Sequence, residues 1–99
     1  MNDTQLMAQV RHELLNTMFN GFPVSYSRPR LLSELRPVFG ERDKAWLTDA
    51  INDQINVLDK AGLIRTASGG YTLTDRGRRD RQEAQRLFSK QIKSKKDNA

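Results

Sequence analysis

The chain has 99 residues, 36% of them hydrophobic and 29% charged, with 17 Lys plus Arg against 12 Asp plus Glu and a net charge of +5. That length supports one domain, since a second core needs roughly 50 residues more, and the apolar share suits a small helical core rather than a disordered chain. Cysteine is absent and His12 is the single histidine, which excludes iron–sulfur clusters, disulfides, thiol catalysis and structural zinc.

The first predicted element is a helix. Leu6, Met7, Val10, Leu14, Met18 and Phe22 recur at three- and four-residue steps, and Leu15 and Phe19 widen the stripe. Asp3 or Thr4 caps its start, and Asn20-Gly21-Phe22-Pro23 ends it, because glycine permits a left-handed cap and proline cannot continue a helix. A short second helix opens at Ser27, with Pro29 in its first turn, where a missing N–H costs nothing. Leu31, Leu32, Leu35 and Val38 make its buried side, and Pro37 ends it near Arg36.

Gly40-Glu41-Arg42 forms a turn, and Asp43 caps a longer third helix. Its apolar stripe is Trp46, Leu47, Ala50, Ile51, Ile55, Leu58 and Ala61, with Trp46 read as core and Gly62 as the C-cap. Residues 63–67 and 71–74 are rich in β-branched and aromatic side chains and flank Ser68-Gly69-Gly70, which predicts a β-hairpin. Thr74 or Asp75 caps a fourth helix that lines up Ala84, Leu87, Phe88 and Ile92 on one face. Residues 1–92 are read as a single domain and residues 93–99 as a basic disordered tail with nothing to bury.

The charge is unevenly placed. Residues 76–96 hold nine basic residues against Asp80 and Glu83, a net +7, whereas residues 1–75 hold eight basic and nine acidic ones. A neutral body with a basic terminal helix points to a polyanionic partner, nucleic acid first. No basic n-region or apolar h-region opens the chain, and no apolar run approaches the roughly 18 residues of a membrane span. The expectation is a soluble, cytoplasmic protein with no membrane partner.

These elements amount to a mainly α fold with a small β-hairpin, ordered as helix, helix–turn–helix, two-stranded wing and C-terminal helix. Within it, Leu58-Asp59-Lys60-Ala61-Gly62-Leu63-Ile64 precedes Gly70-Tyr71-Thr72-Leu73-Thr74-Asp75-Arg76-Gly77-Arg78. Physically, Leu58 locks the third helix to the core, Gly62 turns the chain into the sheet, and Tyr71 and Leu73 face inward. Thr74 caps the last helix, and Gly77 lets its first turn pack closely. The stretch resembles the recognition-helix exit, wing and wing-to-helix junction of bacterial MarR-like and PadR-like regulators. Their pattern runs Leu-x-x-x-Gly-Leu-[Ile/Val] and then Tyr-x-Leu-Thr-x-x-Gly. The resemblance covers roughly residues 28–80 and extends weakly to the first and last helices.

It implies a winged helix–turn–helix whose third helix enters the major groove of double-stranded DNA. That helix would present Lys44, Thr48, Asp49, Asn52, Asp53 and Asn56. Asn52 and Asn56 would read adenine edges, while Thr48 and Lys44 would hold phosphate. Arg28, Arg30 and Arg42 would clamp the backbone, Arg65 is the basic residue of the wing, and Arg76, Arg78, Arg79 and Arg81 form a phosphate-contacting cluster. In those families the last helix often makes the dimer interface, which here would be Ala84, Leu87, Phe88 and Ile92. The implied function is a dimeric DNA-binding transcriptional regulator.

The third helix departs from a comfortable DNA reader. It carries Asp43, Asp49, Asp53 and Asp59 against Lys44 and Lys60, a net −2, with Asp49 and Asp53 on the face of Asn52 and Asn56. This keeps open a winged-helix adaptor that binds a protein partner and little or no DNA. An enzyme is not expected, because no Ser–His–acid set, metal set or phosphate-cradling glycine loop occurs. No cofactor or metal is expected either, and His12 is read as a surface or core-edge residue.

Overall fold

In the computed structural model, backbone is described for residues 3–40 and 42–97 and side chains for residues 4–40 and 42–87. Among the described residues the order is α1 (Asp3–Asn20), α2 (Arg28–Leu35), α3 (Lys44–Lys60), β1 (Ile64–Ala67), β2 (Gly70–Leu73) and α4 (Asp75–Asp97). The fold is mainly α, with one small antiparallel hairpin.

Local chemistry sets most boundaries. Ser27 is extended and its hydroxyl accepts from the Arg30 N–H at 3.3 Å, so it caps α2. Asp43 does the same for α3, its carboxylate accepting from the Trp46 N–H at 2.6 Å. At the far end of α3 the Leu63 N–H reaches the Leu58 carbonyl and the Gly62 N–H reaches that of Asp59. This is a Schellman closure, and it requires the left-handed φ of +75° that Gly62 adopts.

The core is built from one stripe of each long helix. Val10, Leu14 and Met18 of α1 meet Leu31 and Leu35 of α2 and Leu47, Ile51, Ile55 and Leu58 of α3, all with almost no exposed surface. Full burial of such a side chain is worth roughly 1.5–3 kcal/mol. α2 stops at Leu35, before Pro37, so Val38 is 46% exposed and does not join the buried side of the helix. Phe39, swung in by the turn, fills that place at 5% exposure. Trp46 is half-buried at the edge of the core, 6.3 Å from the Phe39 ring, and Ala61 at the C-cap is exposed.

β1 and β2 pair from Ile64–Leu73 to Ala67–Gly70, across a tight turn in which Ser68 and Gly69 both have positive φ. A third segment joins them: Tyr26 and Tyr71 exchange two backbone hydrogen bonds of 2.8 Å. Ile64 and Leu73 point into the core, but Tyr71 stands one pleat farther out and is half-buried rather than internal. Thr72, on the opposite face, is 3% exposed, so both faces of β2 are covered there.

Thr74 fastens α4 to this frame. Its hydroxyl donates to the Gly62 carbonyl at 2.6 Å and accepts from the Gly77 N–H at 3.1 Å. Gly77 lies so close to the Leu63 carbonyl that no Cβ fits between them. The helical backbone of α4 runs to Asp97.

Candidate nucleic-acid interface

The capped start of α2 fixes Arg28 at the first helical position, facing both α3 and the hairpin. Its Nη1 donates to Asn52 Oδ1 at 3.0 Å, while Nε and Nη2 donate to the Tyr71 hydroxyl at 3.2 and 2.9 Å. One guanidinium thus ties together α2, α3 and β2. Beside it a groove of about 340 Å³ runs between α2 and α3, with Leu32 and Ile51 in its lining and Arg28, Lys44, Thr48 and Asn52 as its polar members. The Thr48 hydroxyl donates to the Lys44 carbonyl at 2.8 Å, which leaves its oxygen free to accept.

Two more arginines are placed by aromatic rings. The Arg30 guanidinium sits 4.6 Å from the Tyr26 ring centroid, and that of Arg42 sits 5.2 Å from the Trp46 ring. Such stacking holds a cation in place while leaving its N–H edge available.

The other flank of α3 is chemically different. Arg11 Nε donates to Gln54 Oε1 at 2.9 Å, and Gln54 Nε2 donates to Asp53 Oδ2 at 3.3 Å. Gln54 is 3% exposed and links a cation of α1 to a carboxylate of α3. Asn52 thus bonds toward α2 and Asp53 toward Gln54, while Asp49, Asn52, Asp53 and Asn56 keep the three- and four-residue spacing of one helix face. Asp49 and Asn56 are exposed.

The hairpin separates the basic residues further. Arg65 pairs with Thr72 and Thr66 with Tyr71, and neighbours along a strand point to opposite faces. Arg65 thus lies on the side away from Tyr71 and Arg28, where it shares a concavity with Arg76. Within the α4 cluster, Arg78 lies 5.0 Å over the Phe22 ring, and Arg81 bonds to Asp80 at 3.1 Å and to His12 Nδ1 at 3.1 Å. Both are half-buried against α1, whereas Arg76 and Arg79 are exposed. Farther along, Glu83 bonds to Arg86 at 2.6 Å, and that hydrogen bond raises the guanidinium above its ordinary pKa.

Of the residues singled out by sequence, Arg28, Lys44, Thr48 and Asn52 come together at one groove, and Arg65 and Arg76 meet elsewhere. On the proposed dimer face Ala84 is half-buried and Leu87 is 50% exposed, while the side chains of Phe88 and Ile92 fall outside the described residues. Sequence reasoning missed two members. The strand pattern places Tyr71 inward, whereas it is half-buried, and Gln54 sits at a buried spacing, three residues after Ile51 and four before Leu58. A polar residue in an apolar stripe is the signal that would have found it.

Among the described residues no helix is long and apolar enough to cross a membrane, and no group of His, Asp or Glu is placed to hold a metal ion. Neither a family model, nor a curated protein, nor a solved structure matches this chain.

Proposed function

We propose that this chain is a winged helix–turn–helix transcriptional regulator that binds double-stranded DNA as a homodimer in the cytoplasm. The observation that carries the reading is the Arg28 clamp, which holds a guanidinium against the polar flank of α3 beside Lys44, Thr48 and Asn52. In this reading α3 enters the major groove. Arg28, Arg30, Arg42 and Lys44 contact phosphates, with the arginines already positioned by Asn52, Tyr71, Tyr26 and Trp46. Asn52 keeps its amide N–H groups and one carbonyl lone pair for a base edge, and exposed Asn56 serves as the second reader. The exposed side of α4 at Leu87 supplies the dimer contact, with Phe88 and Ile92 continuing the stripe.

Fluorescence anisotropy with a labelled duplex tests this. A dimer neutralising roughly six to ten phosphates loses on the order of a thousandfold in affinity between about 50 and 200 mM salt. Absence of binding to any duplex at about 50 mM salt refutes the proposal.

The exposed Asp49 favours a second reading, an adaptor whose α3 binds a basic protein. The two readings predict opposite signs for Asp49→Asn combined with Asp53→Asn. Duplex binding strengthens if α3 faces DNA, and capture of a basic partner weakens if it faces protein.

A further inference from the structure

The face of the hairpin turned away from Arg28 borders an open concavity of about 460 Å³, lined by the turn after α1, the hairpin and the first turn of α4. Phe22 and Pro23 give it an apolar wall, Arg65 and Arg76 give it two cations, and Asp75 contributes a carboxylate. Thr72 also lines it. That residue is 3% exposed and its Oγ1 has no hydrogen-bond partner among the described residues. Its Oγ1 carries less than 1 Å² of exposed surface, so the hydroxyl lies beneath the lining and is not itself a ligand contact.

The two guanidiniums are also uncommitted. Among the described residues neither Arg65 nor Arg76 has a hydrogen bond or ion pair, unlike Arg28, Arg81 and Arg86. Arg76 is nonetheless positioned: its Nη1 lies 3.8 Å from where a Gly62 Cβ would stand, over the carboxyl end of α3. The negative end of that helix favours a cation there. Two solvated surface arginines would explain the charge, but not the concavity between them.

We infer that this concavity binds a small phosphomonoester. The phosphate lies between Arg65 and Arg76, while the organic part rests on Phe22 and Pro23. A dianion suits the site better than a monocarboxylate. It gains from both guanidiniums, which donate in planar forks to several oxygens, and so outweighs the repulsion of the single Asp75 carboxylate. The volume falls in the range of about 300–1,000 Å³ typical of small-molecule sites and exceeds what a bare phosphate fills. The inference does not depend on DNA binding, because Arg28 and its groove lie on the other face.

The test is a ¹⁵N–¹H correlation titration of the full chain with phenyl phosphate to about 10 mM, alongside inorganic phosphate and a short duplex. Saturable shifts are expected at the amides of Gly62, Leu73 and Arg76. The double variant Arg65→Gln, Arg76→Gln is expected to bind at least about tenfold more weakly. The double variant should keep the Tm of the parent chain, since both arginines are exposed, which separates a lost contact from a lost fold. No saturable shift, or unchanged binding by the double variant, overturns the inference. So does equal affinity for inorganic phosphate, since the apolar wall would then add nothing. Shifts of these amides by the duplex but not by phenyl phosphate assign the concavity to backbone phosphate and overturn it as well.

Discussion

Arg28 and Arg65 stand on opposite sides of the same two-stranded hairpin, and their surroundings differ in kind. Arg28 is held by Asn52 and Tyr71, so its direction is set before any partner arrives. Arg65 faces a concavity with Arg76 and has no polar partner among the described residues. An arginine pre-positioned by the fold loses less side-chain freedom on binding, an effect worth about 0.5–1.5 kcal/mol per side chain. A net charge of +5 therefore describes available charge poorly: Arg78 and Arg81 are turned toward Phe22 and His12 of the α1 region. What matters is which guanidiniums the fold commits and which it leaves open.

The largest expected effect attacks the junction that separates the two faces. Gly77→Ala drives a methyl into the Leu63 carbonyl, backbone that cannot yield without lifting α4 from the hairpin. We expect a loss of about 3 kcal/mol in urea denaturation. Unchanged stability would mean the junction is looser than its geometry.

Next comes the comparison itself. Arg28→Ala should lower duplex affinity by about 2 kcal/mol and reduce the salt slope by about one, as read by anisotropy. Arg65→Ala should change duplex affinity by no more than about twofold, an effect under about 0.5 kcal/mol. Equal losses for both would erase the distinction between the faces.

Thr74→Val removes the cap of α4 and its bond to the Gly62 carbonyl, for an expected loss of about 1 kcal/mol in thermal unfolding. The smallest effect is expected at Thr72. Its hydroxyl is already unpaired, so Thr72→Val should be neutral or stabilising by up to about 1 kcal/mol. A clear destabilisation would show that the hydroxyl has a partner in solution.

The elements were readable because their signals are local. Ser27, Asp43, Gly62 and Thr74 each act on backbone groups a few residues away, and the apolar stripes repeat within one helix. The candidate site was readable only in part. The approach of Arg28 to Tyr71 and of Arg11 to Gln54 each joins residues 43 positions apart. No periodicity encodes such meetings, because they depend on how α1, α2 and the hairpin dock around α3. The exchange of Val38 for Phe39 likewise arose where helical spacing ends and a turn takes over.

Composition and pattern alone thus specified a small helical domain with a hairpin, a neutral body and a basic last helix, since these follow from residue counts and short-range spacing. Docking settled the rest. The pleat put Arg65 and Tyr71 on opposite faces, the packing of α4 turned Arg78 and Arg81 toward α1, and burial left the Thr72 hydroxyl without a partner. Side-chain availability is a property of neighbours distant in the chain, and only the assembled fold supplies them.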